Sequence, residues 1–588
     1  MKTEKNSKVI TKRELTGDVI VVGGGLSGVC AAVSAARHGA KVILVQDRPM
    51  LGGNASSECR MGIMGAHGDE NKETGLLEEL QLDNIYRNPL MRYTLWDDAI
   101  LSLVFAEPNI NLLLNTSVQG VQTAGDTIQS VTAWNCNEYA KYTLTAKFFA
   151  DCSGDGILRL SGAEFRIGRE AAAEFGEQCL HEGDDDKTMG NSILLQLRHT
   201  DEHRPFIPPP WAHTFTDEDF AVPESELKDG KIHSYKRPYP DNNNFWWIEY
   251  GGNLDTIADA GDIQRELKAM AYGVWAYMKN HPDGRCKDYE LDWIGSLPGK
   301  RESTRFIGDH ILTQQEILDG GKFHDVVAYG GWTLDDHHPD AFYRRGYLST
   351  HLSPPSPFGI PFRCLYSKNI RNLMFAGRNV SCTHLGMSAT RVMATCALMG
   401  QAVGTAAALA TKYKTTPRDI GQSHLQELQT TLEDDDVMLP GRWRTVSQKT
   451  RIAKTSMPQL QNGIDRFWKK QDNGAWIAPG EFLEYNWDTP QDITGYRLIF
   501  DSELSFQGKR MRKLEALKDY KPMPPVLIRD FHLDAWIDGQ WKTIATACEN
   551  FHRLVRINHE TITTNKIRLV ADKTWGAPKA HVFAWDVI

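Results

Sequence analysis

Hydrophobic and polar positions follow two different rhythms along this chain. From Asp18 to Gln46 an apolar block, Val19 to Val22, runs through Gly23, Gly25 and Gly28 into a stretch of small residues ending at Gly39, and then into a second apolar block, Val42 to Val45. Apolar blocks bounded by glycine predict buried strands, and the small-residue stretch predicts a helix packed closely on them. The order is βαβ. Further on, residues 93–106 read as a helix, 109–118 as a strand and 118–149 as a small antiparallel excursion. Lys147 to Gly156 and Asn372 to Asn379 each read as a strand entering a glycine turn, and Met387 to Ala410 as a helix rich in small residues. Between about 165 and 360 the pattern is less regular, with a proline run (Pro208 to Pro210), an aromatic strand (Phe245 to Tyr250) and a long helix over 262–280. Near the C-terminus the rhythm becomes two: short strands such as Gly495 to Phe500 and Leu533 to Ile537 alternate apolar and polar side chains, with turn signals between them, as in a β-sandwich.

Gly23, Gly25 and Gly28 fit the G-x-G-x-x-G template in its expected strand–turn–helix setting. The first glycine permits the tight turn, the second lets a pyrophosphate approach the backbone, and the third lets helix and sheet pack closely. The phosphates would meet free N–H groups at the positive end of a helix. Met50 to Glu58, containing Gly52, Gly53 and Asn54, is a second glycine turn able to wrap a ligand.

Composition narrows the classes. At 588 residues the chain has room for two to four domains. A net charge of −9 and a pI near 6.1 leave no basic footprint for nucleic acid or an anionic membrane. No apolar run reaches the ~20 residues that span a bilayer. The first 17 residues are charged throughout and lack the apolar core of a secretory signal, so a cytoplasmic location is expected, or a periplasmic one if a signal peptide had been removed. Ten cysteines without a C-x-x-C argue against a zinc site, a redox pair or a disulfide framework. The acidic runs 184–186 and 433–436 read as solvated loops or helix caps, and no metal is expected.

Four groups of residues together resemble the FAD-dependent oxidoreductases of the glutathione-reductase-like flavoprotein class, and most nearly those of bacterial polysaccharide-utilisation clusters. They are Val21 to Gly28 with Leu51 to Glu58; Asp151-Cys-Ser-Gly-Asp-Gly156; Pro298 to Gly308; and Phe375-Ala-Gly-Arg-Asn379 with Gly400 to Gly404. The resemblance implies an α/β protein: a Rossmann-like FAD-binding domain with an inserted α+β substrate domain and a C-terminal β-sandwich of jelly-roll, discoidin-like type. The boundaries drawn are a polar arm over 1–16, the FAD-binding domain over 17–165 and 361–412, the substrate domain over 166–360, a helical linker over 413–445 and the sandwich over 446–588. The likeness of the sandwich rests on Asp492 to Phe500, Asn565 to Val570 and Ala584 to Ile588, with Trp476, Trp487, Trp541 and Trp575 read mainly as core.

By that resemblance, FAD is the cofactor, expected to be non-covalent, with Cys59 and His67 as the residues that would otherwise attach it. Gly23, Gly25 and Gly28 would face the pyrophosphate, and Leu26, Ser27, Gly52, Gly53 and Asn54 are further cofactor-binding positions. Gln46 stands where relatives carry a ribose-binding Glu, with Asp47 as rival and Arg48 adjacent. Val118 would present its backbone to adenine. Gly377, Arg378 and the helix after residue 387, with Arg391 and Val392, would approach the ribityl chain and the flavin ring, Arg378 departing from the acidic residue of many relatives; Asp151 and Gly154 are further cofactor-binding positions.

Hydride transfer to flavin needs a substrate C–H over N5 and often a base. Histidine is the default base. His384 is the first candidate, against packing on the cofactor without a proton role; His337 and His338 form a second pair, and Arg301 with Arg305 would clamp a polar substrate or tie domains together. On a strand, Trp246 and Trp247 would face opposite sides. Three readings follow: oxidation of a carbinol of a sugar, glycoside or polyol, with the electron acceptor unidentified; reduction of an activated C=C or C=O in the manner of fumarate reductases; or carbohydrate binding with a vestigial flavin site. The expected partner is a small carbohydrate-derived molecule, without nucleic acid or membrane, and a homo-oligomer is left open.

Overall fold

The computed structural model describes residues 10–178, 183–224, 233–240, 245–511 and 519–588. They fall into two compact units, one of Met1–Ala66, Arg92–Leu428 and Met511–Leu517, the other of His67–Met91, Gln429–Arg510 and Lys518–Ile588. The stretch 67–91, drawn from sequence into the FAD-binding part, is thus counted with the C-terminal unit.

The first unit is built on a five-stranded parallel sheet in the order Leu373–Phe375, Phe148–Asp151, Val19–Val22, Val42–Val45, Ile110–Leu113. Four of these strands are largely apolar blocks buried along their whole length, as a sheet covered on both faces requires. Helices Leu26–Arg37 and Met393–Tyr413 lie against each other with no room for a side chain between them. A Cβ on Gly400 would stand 2.0 Å from the Ser27 carbonyl oxygen, and one on Gly404 2.2 Å from that of Ala31. Helix Met393–Tyr413 is long and apolar enough by composition to cross a membrane, contrary to the sequence reading, yet 94% of its apolar window is buried in the protein.

The structure departs from the sequence reading in four places here. The polar arm contains strand Thr11–Thr16, which pairs in parallel with Ala140–Thr145 at the edge of a four-stranded sheet. The strand expected over 109–118 breaks at Asn115, whose φ of 52° ends Ile110–Leu113 and starts Thr116–Ala124. The small-residue helix breaks at Arg391 and Val392 into His384–Thr390 and Met393–Tyr413. The aromatic strand shrinks to Glu249–Tyr250, because Trp246 and Trp247 lie in a turn.

The inserted region packs around helix Ala260–Asn280, whose Ile263, Leu267, Met270, Val274 and Trp275 meet Ile193, Leu195, Leu197 and Trp247. Strand Leu334–His337 forms one edge of a three-stranded sheet and pairs antiparallel with Ser349–Leu352, setting Asp335 opposite His351 and His337 opposite Ser349.

In the second unit two long strands, Phe482–Phe500 and Leu554–Thr574, each serve two antiparallel layers, their pairing shifting between Asn486 and Gln491 and between Ile493 and Gly495. One layer adds Ile528–Ile537 and Gln540–Ala547, the other Ala580–Val587 and Ala475–Ile477. Leu483, Tyr485, Trp487, Tyr496, Leu498, Phe531, Leu533, Leu569, Val582 and Trp585 form a single core, so this antiparallel unit is a sandwich. Trp487 is core; Trp476 is 40% exposed, stacked on His581 at 4.1 Å, and Trp541 and Trp575 are half-buried.

Candidate active site

The first unit encloses a cavity of about 860 Å³ that begins at the glycine turn after Val22. Gly23 sits at φ +104°, and a Cβ there would stand 2.5 Å from the Cys152 carbonyl. A Cβ on Gly28 would fall 1.8 Å from the Gly23 oxygen, so Gly28 serves helix packing and lies outside the cavity lining. Gly25 is different. Its Cβ would meet no protein atom nearer than 4.0 Å, at Gly53, so the missing side chain leaves space open for a ligand. Gly25, Leu26, Ser27, Gly52, Gly53 and Asn54 all line this end.

Helix Leu26–Arg37 begins here without a side-chain cap and without an acidic residue in its first turn. Helix Met393–Tyr413 begins at the same cavity through Val392, Met393 and Cys396, likewise uncapped and without acidic residues in its first turn. Two uncapped helix N-termini on one cavity leave unmet N–H donors and positive dipole ends, which suit a pyrophosphate and an electron-rich ring.

Gln46 has its side chain committed within the protein: Oε1 accepts from Gly24 N at 2.7 Å, and Nε2 donates to the Met50 carbonyl at 3.1 Å. It ties the two glycine turns together at the cavity wall. Asp47, with a 59% exposed side chain, and Arg48, bonded to Glu58, line the wall beside it, and Val118 completes that side.

Asp151 lies behind the wall, fully buried, accepting from Ser153 N and Oγ, Leu158 N and Asn379 Nδ2. Burial raises its carboxyl above the usual range against those donors. Its work is to shape the Ser153–Gly156 turn. That turn presents Gly154 and Asp155 to the cavity, where Asp155 holds Arg378 at 2.5 Å and Lys300 at 2.7 Å. Burial would raise Asp155, but the two cations outweigh it and hold the carboxyl well below its ordinary value. Arg378 also donates to Ser303 Oγ at 2.6 Å, and Gly377 turns beside it at φ +124°.

The cradle fits a dinucleotide, and the family profile described as FAD dependent oxidoreductase matches residues 18–432. The chain belongs to the FAD dependent oxidoreductase family. A fumarate reductase (cytochrome) of Shewanella frigidimarina is 37% identical over 81 residues, 14% of this chain and 14% of that protein, so the chain matches only a small part of its relative's length. A geranylgeranyl bacteriochlorophyll reductase-like structure from Thermoplasma acidophilum covers 72% of this chain and 89% of its own at 12% identity and a TM-score of 0.33. A family 32 carbohydrate-binding module from Streptococcus pneumoniae covers 24% of this chain and 99% of its own at 14% identity and a TM-score of 0.20.

In this FAD-dependent oxidoreductase the far end of the cavity is made by side chains. Asp335, His337 and His351 line it with Arg301, Arg391, Asn191, Trp246, Trp247 and Trp332. Both tryptophans of the 246–247 pair reach the cavity because a turn, unlike a strand, does not alternate them. His337 Nδ1 meets Glu249 at 2.6 Å and Nε2 meets Asp335 at 3.3 Å, with the Trp246 ring edge-on at 5.4 Å. Burial alone would lower His337; Glu249 and then Asp335 outweigh it and raise the imidazole. Asp335 in turn is held far below the carboxylate range by His337, Arg391 and His351 in spite of its burial. His351 bonds through Nε2 to Ser234 Oγ at 2.6 Å and Ser349 Oγ at 3.2 Å, and its Nδ1 lies 3.5 Å from Asp335.

Arg301 spends its guanidinium on the carbonyls of Gly190 and Trp246, each at 3.0 Å, and stands 3.4 Å from Glu249. Arg305, fully buried, does not line the cavity: it bonds Glu170 at 2.7 Å and also Glu302. His384 lies outside the lining too, clamped by Glu302 on Nδ1 and Asp336 on Nε2. His338 is turned away, its Nδ1 accepting from Asp340 N, and burial with Arg344 lowers it. Cys59, buried and pushed up to about 12 by burial, is not at the cavity, and His67 is counted with the C-terminal unit.

Sequence reasoning missed Asp335, His351, Asp155 and Lys300. For the first two, alternation was the available signal. Read as a strand, 334–337 must send 335 and 337 to one face and 336 to the other, which splits the tandem His337-His338 and Asp335-Asp336 pairs.

Proposed function

We propose that this enzyme oxidises a carbinol of a neutral, polyhydroxylated substrate of the sugar or polyol class. FAD, when bound, supplies the two-electron acceptor. His351 accepts the hydroxyl proton at Nε2, through or in place of its bond to Ser234, while Asp335 steadies Nδ1. Glu249 and Asp335 favour the protonated form of His337 at the same wall, and Trp246, Trp247 and Trp332 supply apolar faces that exclude water.

One observation carries this reading. Arg301 and Arg391, which line the far end, are already engaged: Arg301 on two main-chain carbonyls, Arg391 on the Asp335 carbonyl at 3.0 Å and its carboxylate at 3.4 Å. Beside them a histidine–carboxylate set suited to hydroxyl groups faces the cavity, whose lining also includes Arg237. The rival reading, reduction of an activated double bond, draws on the short match to a fumarate reductase and on Arg391 Nε, which has no hydrogen-bond partner. Non-covalent FAD is part of the proposal: burial raises both cavity-lining thiols, Cys152 and Cys396 (the latter to about 12), which leaves them protonated and poor nucleophiles. Precipitation with acid should release all the flavin into solution.

The test is anaerobic. Sugars, glycosides and polyols are mixed with the yellow protein and loss of visible flavin absorbance is followed. Bleaching by a member of that set is the expected result. No bleaching, together with reoxidation of the dithionite-reduced protein by an enoate, gives the answer to the rival.

A further inference from the structure

We infer that His384 is a positioning residue that keeps strand Leu334–His337 in the register which turns Asp335 and His337 toward the cavity. His384 opens helix His384–Thr390, is buried, and does not reach the cavity. Its backbone N–H is fixed by Glu170 at 2.8 Å. Its ring bridges two chain segments, Nδ1 to Glu302 at 3.0 Å and Nε2 to Asp336 at 2.9 Å. Each of those carboxylates sits beside residues that build the cavity wall. Glu302 lies between Arg301, which lines the cavity, and Ser303, which accepts from Arg378. Asp336 lies between Asp335 and His337, which both line it.

The strand needs such a brace. It has four residues, forms the edge of its sheet, and is paired on one side only, with Ser349–Leu352. A slip of one residue in a strand moves every side chain to the opposite face. Here a slip would turn Asp336 inward and bury Asp335 and His337 behind the wall. The two ends of the bridge are unequally secured: Glu302 also accepts from Met189 N at 2.9 Å and bonds Arg305, whereas among the described residues the Asp336 carboxylate hydrogen-bonds His384. Loss of His384 therefore loosens the 334–337 side first. This inference does not depend on which substrate the enzyme takes.

The test is amide hydrogen exchange on the FAD-loaded protein carrying His384→Ala, Asp336→Ala or Asp336→Asn. In His384→Ala and Asp336→Ala, the acceleration over wild type at peptides covering 334–337 and 349–352 should exceed that at peptides covering 19–28 by about tenfold or more. Asp336→Asn keeps an acceptor for Nε2–H and should stay within about threefold of wild type. If His384→Ala does not fold, the two Asp336 variants decide. Wild-type exchange at 334–337 in Asp336→Ala would overturn the inference. So would Asn performing no better than Ala, or acceleration spread evenly over the unit.

Discussion

The two ends of the cavity hold their ligands by opposite means. At the glycine end much of the lining is backbone, Gly25, the first turn of uncapped helix Leu26–Arg37 and turns whose geometry forbids a Cβ, with Asp47 and Arg48 at its wall. At the far end much of it is charged side chains drawn from distant segments, with Asp335, His337, His351 and Arg391 each held by another of the set. A single methyl can damage a site built mainly of backbone. A side-chain site tolerates volume changes but depends on every proton and charge. Binding and chemistry should accordingly be separable by mutation.

The largest effect is expected at the glycine end. Gly28→Ala places a Cβ 1.8 Å from the Gly23 oxygen, a contact the turn cannot absorb. Loss of FAD and destabilisation of roughly 3 kcal/mol or more should follow, seen as colourless protein with a lowered melting temperature. Gly25→Ala sharpens the point. Its Cβ enters open cavity, so the fold should melt as wild type while FAD affinity falls about tenfold or more. If both variants bind FAD normally, the cradle has been misread.

Next in size is His384→Ala, which leaves the Asp336 carboxylate buried without its histidine partner, Glu302 keeping Arg305, and should cost about 3 kcal/mol near neutral pH. Burial opposes the charge on His384, yet the two carboxylates raise it from 6.5 to about 10. A raised value means the stabilisation is complete below about pH 6.5 and is lost as pH rises through about 10. Melting curves of wild type and variant should therefore converge at high pH. Curves that stay parallel from pH 6 to beyond 10 would contradict the assignment.

Arg391→Ala removes a cation from Asp335, whose carboxyl should then titrate at higher pH. The acid limb of the pH–rate profile should move up, with FAD content unchanged. The smallest effect belongs to Gln46→Glu, which loses the donor to Met50 and should cost about 1 kcal/mol in stability, with FAD retained.

The same contrast explains what the sequence revealed. The glycine end is local: Gly23, Gly25 and Gly28 lie within six residues, the first needed for its positive φ and the other two for the side chain they lack. Even there the side chain of Gln46 escaped, since its bonds to Gly24 and Met50 depend on how two turns pack. At the far end Asp335 meets His351 across a strand pair, and Arg301 is spent on Gly190 and Trp246, contacts that no spacing predicts. His384 stood out by its place after the Gly377 turn, but which way its ring faces is decided by Glu302 and Asp336. The C-terminal rhythm of two gave the sandwich, though not the two strands of 19 and 21 residues that pass between its layers. Thr11–Thr16 looked like an arm because its exposed residues carry no apolar face, and its pairing with Ala140–Thr145 is made by the backbone.

The separation of the two ends is tested most directly by one variant, His351→Ala, purified beside the wild type. FAD content is measured, and then the rate of anaerobic flavin bleaching by whichever hydroxylated substrate reduces the wild type. The account predicts full FAD occupancy with bleaching slowed by about 10²–10⁴-fold. Bleaching at the wild-type rate, or loss of the flavin itself, would contradict it.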